Sequence, residues 1–312
     1  MFALSDIQAA AERIAPFIRR TPLIKAEALF ENITEAELWL KLECLQPTGS
    51  FKVRGATNRL LVTPESQLTH GIVTASGGNH GLAVARAAAM AKVPANIFVP
   101  ATTSREKLDK LAAWGAIVHV VGNVWDEANV NALAYAKEHQ CAYFHPFADP
   151  AVIAGQGTLG LEILEQLPEL DVILVAIGGG GLISGISAAL KSLKPSVRII
   201  GIEPEGSPTL YASLQAGDVV SLPAVTTKVA TMACGRTDAR VFEQVRQAVD
   251  EVVLVSDEEM LAAARWLWFE FGLAADLSGA AAAAALRSGR VRLAAGAKAC
   301  ALVCGAGKDA LV

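Results

Sequence analysis

A lysine and two glycine-rich segments are the residues of this 312-residue chain whose types and order can do chemistry. Lys52 stands in the segment SFKVRGA, the segment SGGNHG spans 76–81, and four consecutive glycines occupy 178–181. A lysine amine can form a Schiff base with a carbonyl group. Glycine-rich loops that lead into a helix present free backbone N–H groups, which bind phosphate or carboxylate.

The tetraglycine loop follows the apolar segment DVILVAI and precedes LISGISAAL. A strand, a glycine loop and a helix in that order direct several N–H groups at one point, where a phosphate would bind. We therefore predict that Gly178, Gly179, Gly180 and Gly181 hold a phosphate. A tight turn between strand and helix, without any ligand, is the alternative interpretation.

The same loop nearly satisfies the dinucleotide-binding fingerprint. Gly179, Gly181 and Ser184 have the required spacing, and Glu203 ends the next apolar segment roughly 20 residues on. A nicotinamide-dependent oxidoreductase is therefore a competing hypothesis. A second match at 155–160 follows no clear strand, and we interpret it as the start of a helix near a loop.

The segment SGGNHG closes the apolar segment GIVTA and opens LAVARAAAMA. The N–H groups at a helix start are unpaired and favour an anion such as a carboxylate, whereas a simply capped helix start is the alternative. Lys52 alone would be interpreted as a surface residue. Together with a phosphate loop and a carboxylate loop, it indicates pyridoxal phosphate and an amino-acid substrate.

Short apolar segments alternate with longer Ala- and Leu-rich segments, a pattern typical of parallel sheets covered by helices. Ser256 and Glu259 have the spacing of a capping box. The predicted strands are 37–43, 71–76, 96–100, 116–122, 171–178, 197–203, 251–256 and 299–305. The predicted helices are 81–92, 104–114, 125–139, 157–167, 181–193, 207–215, 257–270 and 278–287.

The composition predicts a globular protein with a large core, because 53% of the residues are hydrophobic and 19% are charged. The net charge of −4 and the lack of a basic stripe argue against nucleic acid as a partner. The apolar stretches are too short to span a membrane. Asp6 and Glu12 stand where a signal peptide would need an uninterrupted apolar run, so we predict no signal peptide. The five cysteines are scattered without CxxC spacing, which predicts a cytoplasmic protein.

The motifs SFKVRGA, SGGNHG, the tetraglycine loop and CGAG occur in an order and at spacings that resemble the fold type II pyridoxal-phosphate enzymes. In particular, the chain resembles serine/threonine dehydratases and serine racemases over about residues 5–309. The resemblance implies a tryptophan synthase β-like α/β fold with two three-layer domains and mostly parallel sheets. A small domain at 47–147 would be inserted into a large domain formed by 1–46 and 148–312, with the active site in the cleft between them.

The resemblance also implies the residues that hold the cofactor. Lys52 matches the lysine that carries pyridoxal phosphate and acts as acid and base, and Phe51 matches the aromatic residue beside it. Asn79 matches the residue that donates a hydrogen bond to the phenolic oxygen, and 178–181 match the phosphate loop. Cys304 stands where the family keeps a Ser or Cys facing the pyridine nitrogen. A neutral partner there favours β-elimination over transamination.

On the substrate side, Ser76, Gly78, Asn79 and His80 match the loop that binds the substrate carboxylate. Racemases of the family place a second acid/base serine at the position of Gly77. Because glycine carries no transferable proton, we expect racemisation to be disfavoured. An amino-acid substrate and a homodimer are the partners that the resemblance implies.

The chain departs from the family at a cation site. Glu203 matches one ligand and the carbonyl of Ser207 can supply another, but Thr209 stands where the family has an Asp. Divalent cations prefer charged oxygen ligands, so we expect at most a weakly bound monovalent or divalent cation. Asp276 replaces a glutamate of the family, and Arg236 is a candidate for binding a second carboxylate.

We therefore predict a lyase that converts L-threonine or L-serine into a 2-oxo acid and ammonia. Elimination on another 3-hydroxy amino acid, such as 3-hydroxyaspartate or phenylserine, is the nearest alternative. Serine racemisation and the nicotinamide enzyme are weaker ones, and the latter leaves Lys52, Asn79 and Cys304 unexplained. A ligand-binding relative without activity is opposed by the presence of Lys52.

Overall fold

Two sheets organise the chain, of which the computed structural model describes residues 2–123 and 125–311. Within these residues the strands are β1 (Leu23–Lys25), β2 (Glu37–Leu42), β3 (Ile72–Ala75), β4 (Ala95–Val99), β5 (Ala116–Val120), β6 (Ala142–Tyr143), β7 (Val172–Ala176), β8 (Arg198–Pro204), β9 (Glu251–Val255) and β10 (Lys298–Val303). The helices are α1 (Leu4–Ile14), α2 (Lys52–Val62), α3 (Glu65–Leu68), α4 (Asn79–Ala91), α5 (Arg105–Ala113), α6 (Trp125–Glu138), α7 (Pro150–Gln166), α8 (Gly181–Leu193), α9 (Thr209–Ala216), α10 (Ala239–Ala248), α11 (Asp257–Phe271) and α12 (Leu277–Arg287).

The larger sheet has the strand order β1-β2-β10-β7-β8-β9. All neighbouring strands are parallel except β1 and β2. The last strand of the chain, β10, lies between β2 and β7 near the centre of the sheet. Every residue of β7 is buried, as expected for a parallel strand with helices on both faces of its sheet.

The smaller sheet has the order β5-β4-β3-β6 and is parallel throughout. Its two faces are covered by different helices. Ile72 of β3 packs in a core with Leu82 of α4, whereas Val73 packs in another core with Ala132 of α6. Alternate residues of a strand therefore bury against opposite helix layers. This confirms the predicted α/β class with mostly parallel sheets, while the predicted domain boundaries at 47 and 147 stay a prediction.

The predicted strands and helices coincide with observed elements to within a few residues, apart from one helix start. The capping box is present, because Ser256 Oγ accepts from the N–H of Glu259 and the Glu259 side chain accepts from the N–H of Ser256. The prediction missed β1 and β6, which are too short to show alternation, and the helices α1, α2, α3 and α10. No helix in the described ranges has the length and apolar composition that crossing a bilayer requires.

The interpretation of 155–160 as a helix start was wrong, because these residues lie in the middle of α7. Their glycines serve close helix packing. A Cβ on Gly155 would lie 2.7 Å from the carbonyl oxygen of Arg54 in α2, and one on Gly157 would lie 2.9 Å from that of Gly185 in α8. The glycines therefore bring α2 and α8 against α7 and bind no dinucleotide.

Candidate active site

The segment that leads into Lys52 is joined to the end of β10. The N–H of Phe51 donates to the carbonyl oxygen of Cys304 at 3.1 Å, and the N–H of Ala306 donates to that of Gly49 at 2.8 Å. Gly49 has a φ of 85°, which glycine adopts without strain. These bonds place Lys52, the first residue of α2, beside Cys304, although the two are far apart in sequence.

A buried ion-pair network holds α2 in place. Arg54, only two residues after Lys52, donates from Nε to Glu43 Oε2 at 2.7 Å and from Nη2 to Glu162 Oε2 at 2.8 Å. Arg54 and Glu43 are fully buried. Because a buried charge without its partner is costly, this network fixes the start of α2 and thereby the position of Lys52.

The amine of Lys52 lies in a cleft without a carboxylate partner among the described residues. Its Nζ donates to the carbonyl oxygen of Pro146 at 2.8 Å and lies 5.2 Å from the ring centroid of Phe51. Burial lowers the pKa of Lys52 to about 8, so its neutral form is far more accessible than that of an exposed lysine. The cleft is lined by Phe51, Phe147, the tetraglycine loop, Thr231, Met232, Ser278 and Cys304.

The tetraglycine loop joins β7 to α8 and forms one wall of this cleft. Gly180 has a φ of 92°. A Cβ on Gly179 would lie 2.2 Å from Cδ1 of Phe147, and one on Gly181 would lie 2.6 Å from the carbonyl oxygen of Phe147. Thr237 Oγ1 donates to the carbonyl oxygen of Gly179 at 3.1 Å. The loop therefore has no room for side chains, and the backbone itself lines the site.

The segment SGGNHG ends at the first turn of α4, as predicted. The N–H of Gly78 donates to Ser76 Oγ at 3.3 Å, and α4 begins at Asn79. His80 Nε2 lies 3.1 Å from the carbonyl oxygen of Phe144, so this nitrogen carries the proton. Burial lowers the pKa of His80 to about 3, which keeps the ring neutral. The N–H groups at the start of α4 are therefore accompanied by neutral polar groups that tolerate a carboxylate.

Asn79 is bonded to an acidic residue at the start of α12. Its Nδ2 donates to Asp276 Oδ2 at 2.8 Å. Asp276 Oδ1 accepts from Ser278 Oγ at 2.7 Å and from the N–H of Gly279 at 2.6 Å, at the start of α12. The sequence indicated Asp276 only as a departure from the family, and its contact with Asn79 connects residues from opposite ends of the chain.

Cys304 is buried at the end of β10, next to Lys52. Its Sγ donates to the carbonyl oxygen of Ser278 at 3.4 Å. Burial raises the pKa of the thiol far above its usual range, and the nearby carboxylate of Asp276 raises it further. Cys304 is therefore a neutral thiol near neutral pH. Its contact with a pyridine nitrogen stays a prediction.

His145 was missed in the sequence. Its Nδ1 accepts from the N–H groups of Phe147 at 3.2 Å and Ala148 at 2.9 Å, and this turn presents the carbonyl oxygen of Pro146 to Lys52. Burial and the nearby lysine lower the pKa of His145 to about 4, so the ring stays neutral. Thr231 and Met232, from an irregular segment, were also missed because no local pattern marks them.

The residues of the predicted cation site lie away from the lining of this cleft. Glu203 accepts from the N–H of Leu210 at 2.9 Å through Oε1 and from that of Tyr211 at 2.8 Å through Oε2. Ser207 Oγ donates to the carbonyl oxygen of Cys234 at 2.9 Å. Burial raises the pKa of Glu203 to about 7. No group of three or more acidic, His or Cys side chains fit for a metal occurs in 2–123 and 125–311. Cation binding stays a prediction.

Comparisons with known proteins point to one family. Residues 14–305 match the family model described as pyridoxal-phosphate dependent enzyme. The chain is 41% identical over 286 residues to the L-threonine ammonia-lyase of Thermotoga maritima, with 92% of this chain and 71% of that protein covered. Its fold is similar to that of maize serine racemase, with a TM-score of 0.92, 32% identity and coverage of 97% and 93%. It is also similar to the processed form of threonine deaminase isoform 2 from Solanum lycopersicum, with a TM-score of 0.90, 33% identity and coverage of 97% of this chain and 83% of that one.

Proposed function

Because the chain belongs to the fold type II family of pyridoxal-phosphate-dependent enzymes, we propose that it is an ammonia-lyase acting on L-threonine or L-serine. In the net reaction the substrate loses its α-hydrogen and β-hydroxyl as water, and water then displaces ammonia, which yields a 2-oxo acid. One observation carries the proposal. The amine of Lys52 lies in a cleft walled by a loop suited to a phosphate, and Thr231 of this cleft lies beside Gly78, at a helix start suited to a carboxylate.

The residues of the cleft fit pyridoxal phosphate. Backbone N–H groups of 178–181 would hold its phosphate, since a side chain on Gly179 or Gly181 would collide with Phe147. Lys52 would carry it, Phe51 and Asn79 would contact it, and the neutral thiol of Cys304 would face its ring. When bound, the cofactor supplies an electron sink that stabilises negative charge on the substrate α-carbon.

Lys52 would also move the proton at the substrate α-carbon. Its amine has a lowered pKa and lacks an acidic partner among the described residues, so it can accept a proton near neutral pH. Its present acceptor, the carbonyl oxygen of Pro146, cannot take a proton from it. The proton therefore remains available on Nζ for return to the reacting groups.

The start of α4 would bind the substrate carboxylate. The N–H groups of Asn79 and His80, in the first turn of α4, would donate to it, and the helix N-terminus favours a negative charge there. The N–H of Gly78 would exchange its bond to Ser76 Oγ for one to the carboxylate, beside the neutral ring of His80. The segment belongs to the smaller sheet, whereas Lys52 is joined to the larger one through β10. Closure of the predicted small domain over the substrate would exclude water from the cleft.

Elimination is favoured over racemisation by Gly77. Glycine has no group that can move a proton, and a Cβ at this position would lie 2.9 Å from Cγ2 of Thr103 and 3.1 Å from its Oγ1. The space that a serine side chain would need is therefore already filled. Elimination on 3-hydroxyaspartate or phenylserine remains the alternative substrate choice. Arg236, which donates to Ser221 Oγ at 3.0 Å on the surface, gives a second carboxylate no support from the cleft lining.

The test uses purified protein loaded with pyridoxal phosphate. The wild type and a Lys137→Ala variant, in which an exposed lysine is removed, should release 2-oxo acid from L-threonine or L-serine. A Lys52→Ala variant should release none. Oxo acid only from 3-hydroxyaspartate or phenylserine would replace our substrate assignment. A wild type that is colourless after loading would refute the cofactor role of Lys52.

We further propose a cytoplasmic homodimer. All five cysteines are free, as a reducing compartment would require. Phe30 and Phe269 are 79% and 67% exposed with ring centroids 5.2 Å apart, and exposed aromatic residues are enriched at protein interfaces. Light scattering should give twice the mass of one chain, and Phe269→Glu should give a monomer. A monomeric wild type would contradict this.

We also propose a weak cation site at Glu203 and Ser207. If a cation binds there, the rate of 2-oxo acid release should respond to added K⁺ or Mg²⁺.

A further inference from the structure

Asp276 uses its two carboxylate oxygens for two different purposes. Oδ1 caps α12, since it accepts from the N–H of Gly279 and from Ser278 Oγ. Oδ2 takes no part in the cap and accepts from Nδ2 of Asn79. A helix cap needs only one acceptor, and serine serves as well as aspartate there. The bond between Oδ2 of Asp276 and Asn79 is therefore not explained by helix capping.

Gly305, which follows β10, leaves space for the bond between Asp276 and Asn79 because it has no side chain. A Cβ on Gly305 would lie 2.6 Å from Asp276 Oδ2 and 2.9 Å from Asn79 Nδ2. The pair thus lies directly over the glycine that follows Cys304, at the floor of the proposed cofactor site. Asp276 is only 9% exposed, so water cannot replace the bond cheaply.

A carboxylate at this place determines how the amide of Asn79 is turned. The two ends of an amide have nearly the same shape, but one only donates and the other only accepts hydrogen bonds. Both oxygens of Asp276 act as acceptors, Oδ1 for the start of α12 and Oδ2 for Asn79, so the nitrogen of Asn79 faces Asp276. The amide nitrogen has two hydrogens, and Asp276 uses one of them. The other remains free on a group whose orientation is fixed.

We propose that Asp276 is a positioning residue that holds the amide of Asn79 with its nitrogen toward the cofactor site. The inference rests on the proposed function, since it assumes that Asn79 donates to bound pyridoxal phosphate. It adds that this donor, at the start of α4, is oriented by a residue at the start of α12, the helix that packs against the larger sheet. Asp276 itself touches neither cofactor nor substrate in this role.

The experiment separates the cap from the contact with Asn79. Asp276→Ser retains an acceptor for the N–H of Gly279 but is too short to reach Asn79. Asn79→Ala and the double variant with Asp276→Ser complete a cycle. Ser256→Ala, which removes the cap of α11 far from the site, controls for a general loss of stability. For each protein we would measure the dissociation constant of pyridoxal phosphate, its visible absorption maximum when bound, and kcat and KM.

Asp276→Ser should bind pyridoxal phosphate roughly tenfold more weakly, the factor expected for losing one hydrogen bond to a charged group, and should shift the absorption maximum. The double variant should equal Asn79→Ala in both readouts, because Asp276 acts only through Asn79. kcat should fall more than KM rises. Ser256→Ala should match the wild type in affinity and absorption.

Wild-type affinity and absorption in Asp276→Ser would reduce Asp276 to a helix cap and overturn the inference. Additive losses in the double variant would also overturn it, since Asp276 would then act independently of Asn79. If Asp276→Ser does not fold, Asp276→Asn, which keeps the cap and the volume, takes its place with the same expected outcomes. A wild type that takes up no pyridoxal phosphate would instead refute the proposed function, and this inference with it.

Discussion

Replacing Gly179 by alanine tests whether the bare backbone of the tetraglycine loop is what holds the cofactor phosphate. The new Cβ would lie 2.2, 2.3 and 2.5 Å from three ring atoms of Phe147. Ordinary contacts begin at about 3.4 Å, so the loop or the ring must move by about 1 Å. The φ of Gly179 is not left-handed, and alanine is therefore opposed by crowding alone.

The cost of this crowding can be estimated from the packing. Overfilling a packed site costs about 1–3 kcal/mol, and each 1.4 kcal/mol is about tenfold in affinity. Phe147 is held edge-on against His145 with ring centroids 4.7 Å apart, so the ring cannot turn without losing that contact. If the loop moves instead, its N–H groups no longer converge. We expect Gly179→Ala to weaken pyridoxal phosphate binding by roughly 5- to 150-fold.

The assay is the dissociation constant of pyridoxal phosphate, measured by titrating the cofactor-free protein and following visible absorbance. Gly217→Ala is the matched control. Gly217 has a φ of 73° and a Cβ there would meet nothing within 4 Å, so alanine strains the backbone by about 1 kcal/mol without crowding anything. The control should bind the cofactor like the wild type. A Gly179→Ala affinity within threefold of the wild type would refute the reasoning, because the loop would then not be the phosphate site.

The remaining predictions concern the ionisation of Lys52 and the stability of the fold. The rate at which cofactor-free protein captures pyridoxal phosphate should rise with pH through about 8, because the neutral amine of Lys52 forms there; a rate that is flat between pH 6 and 9 would contradict this. Glu43→Gln should lower the free energy of unfolding by about 3 kcal/mol in urea titrations, because Arg54 stays buried with half of its charge partners. Ser256→Ala should lower it by about 1 kcal/mol through loss of the cap, and a loss above 3 kcal/mol would show that more than the cap is disturbed.

The sequence predicted the central elements well because their signals are local. Buried parallel strands such as β7 appear as continuous apolar segments, and the glycine loop after it has a composition that few other structures require. The same locality explains the misjudged glycines at 155–160. Glycine spacing alone does not distinguish a ligand loop from close packing between helices, and here the neighbouring helices α2 and α8 show that these glycines serve packing.

The contacts that tune the site could not be predicted, because each joins distant parts of the chain. Asp276 reaches Asn79 from the start of another helix, and His145 shapes the turn beside Lys52 without belonging to any motif. The ion pairs of Arg54 with Glu43 and Glu162 could not be predicted from the sequence either, although Arg54 stands in the same motif as Lys52. Functional residues were therefore predicted where neighbouring residues in the sequence form a motif with them. They were missed where their role depends on contacts between distant segments of the chain.

The position of β10 in the larger sheet has a consequence for biosynthesis. This strand is synthesised after the other described strands of its sheet but pairs with β2 on one side and β7 on the other. While the chain is still emerging from the ribosome, β2 and β7 each present an unpaired edge, which invites association with other chains. The sheet, the bonds from 304–306 to 49–51 and the cleft around Lys52 all complete only when this strand arrives. The cleft around Lys52 is therefore complete only once residues 298–306 have been synthesised, and we expect a nascent chain to take up its cofactor only after that point.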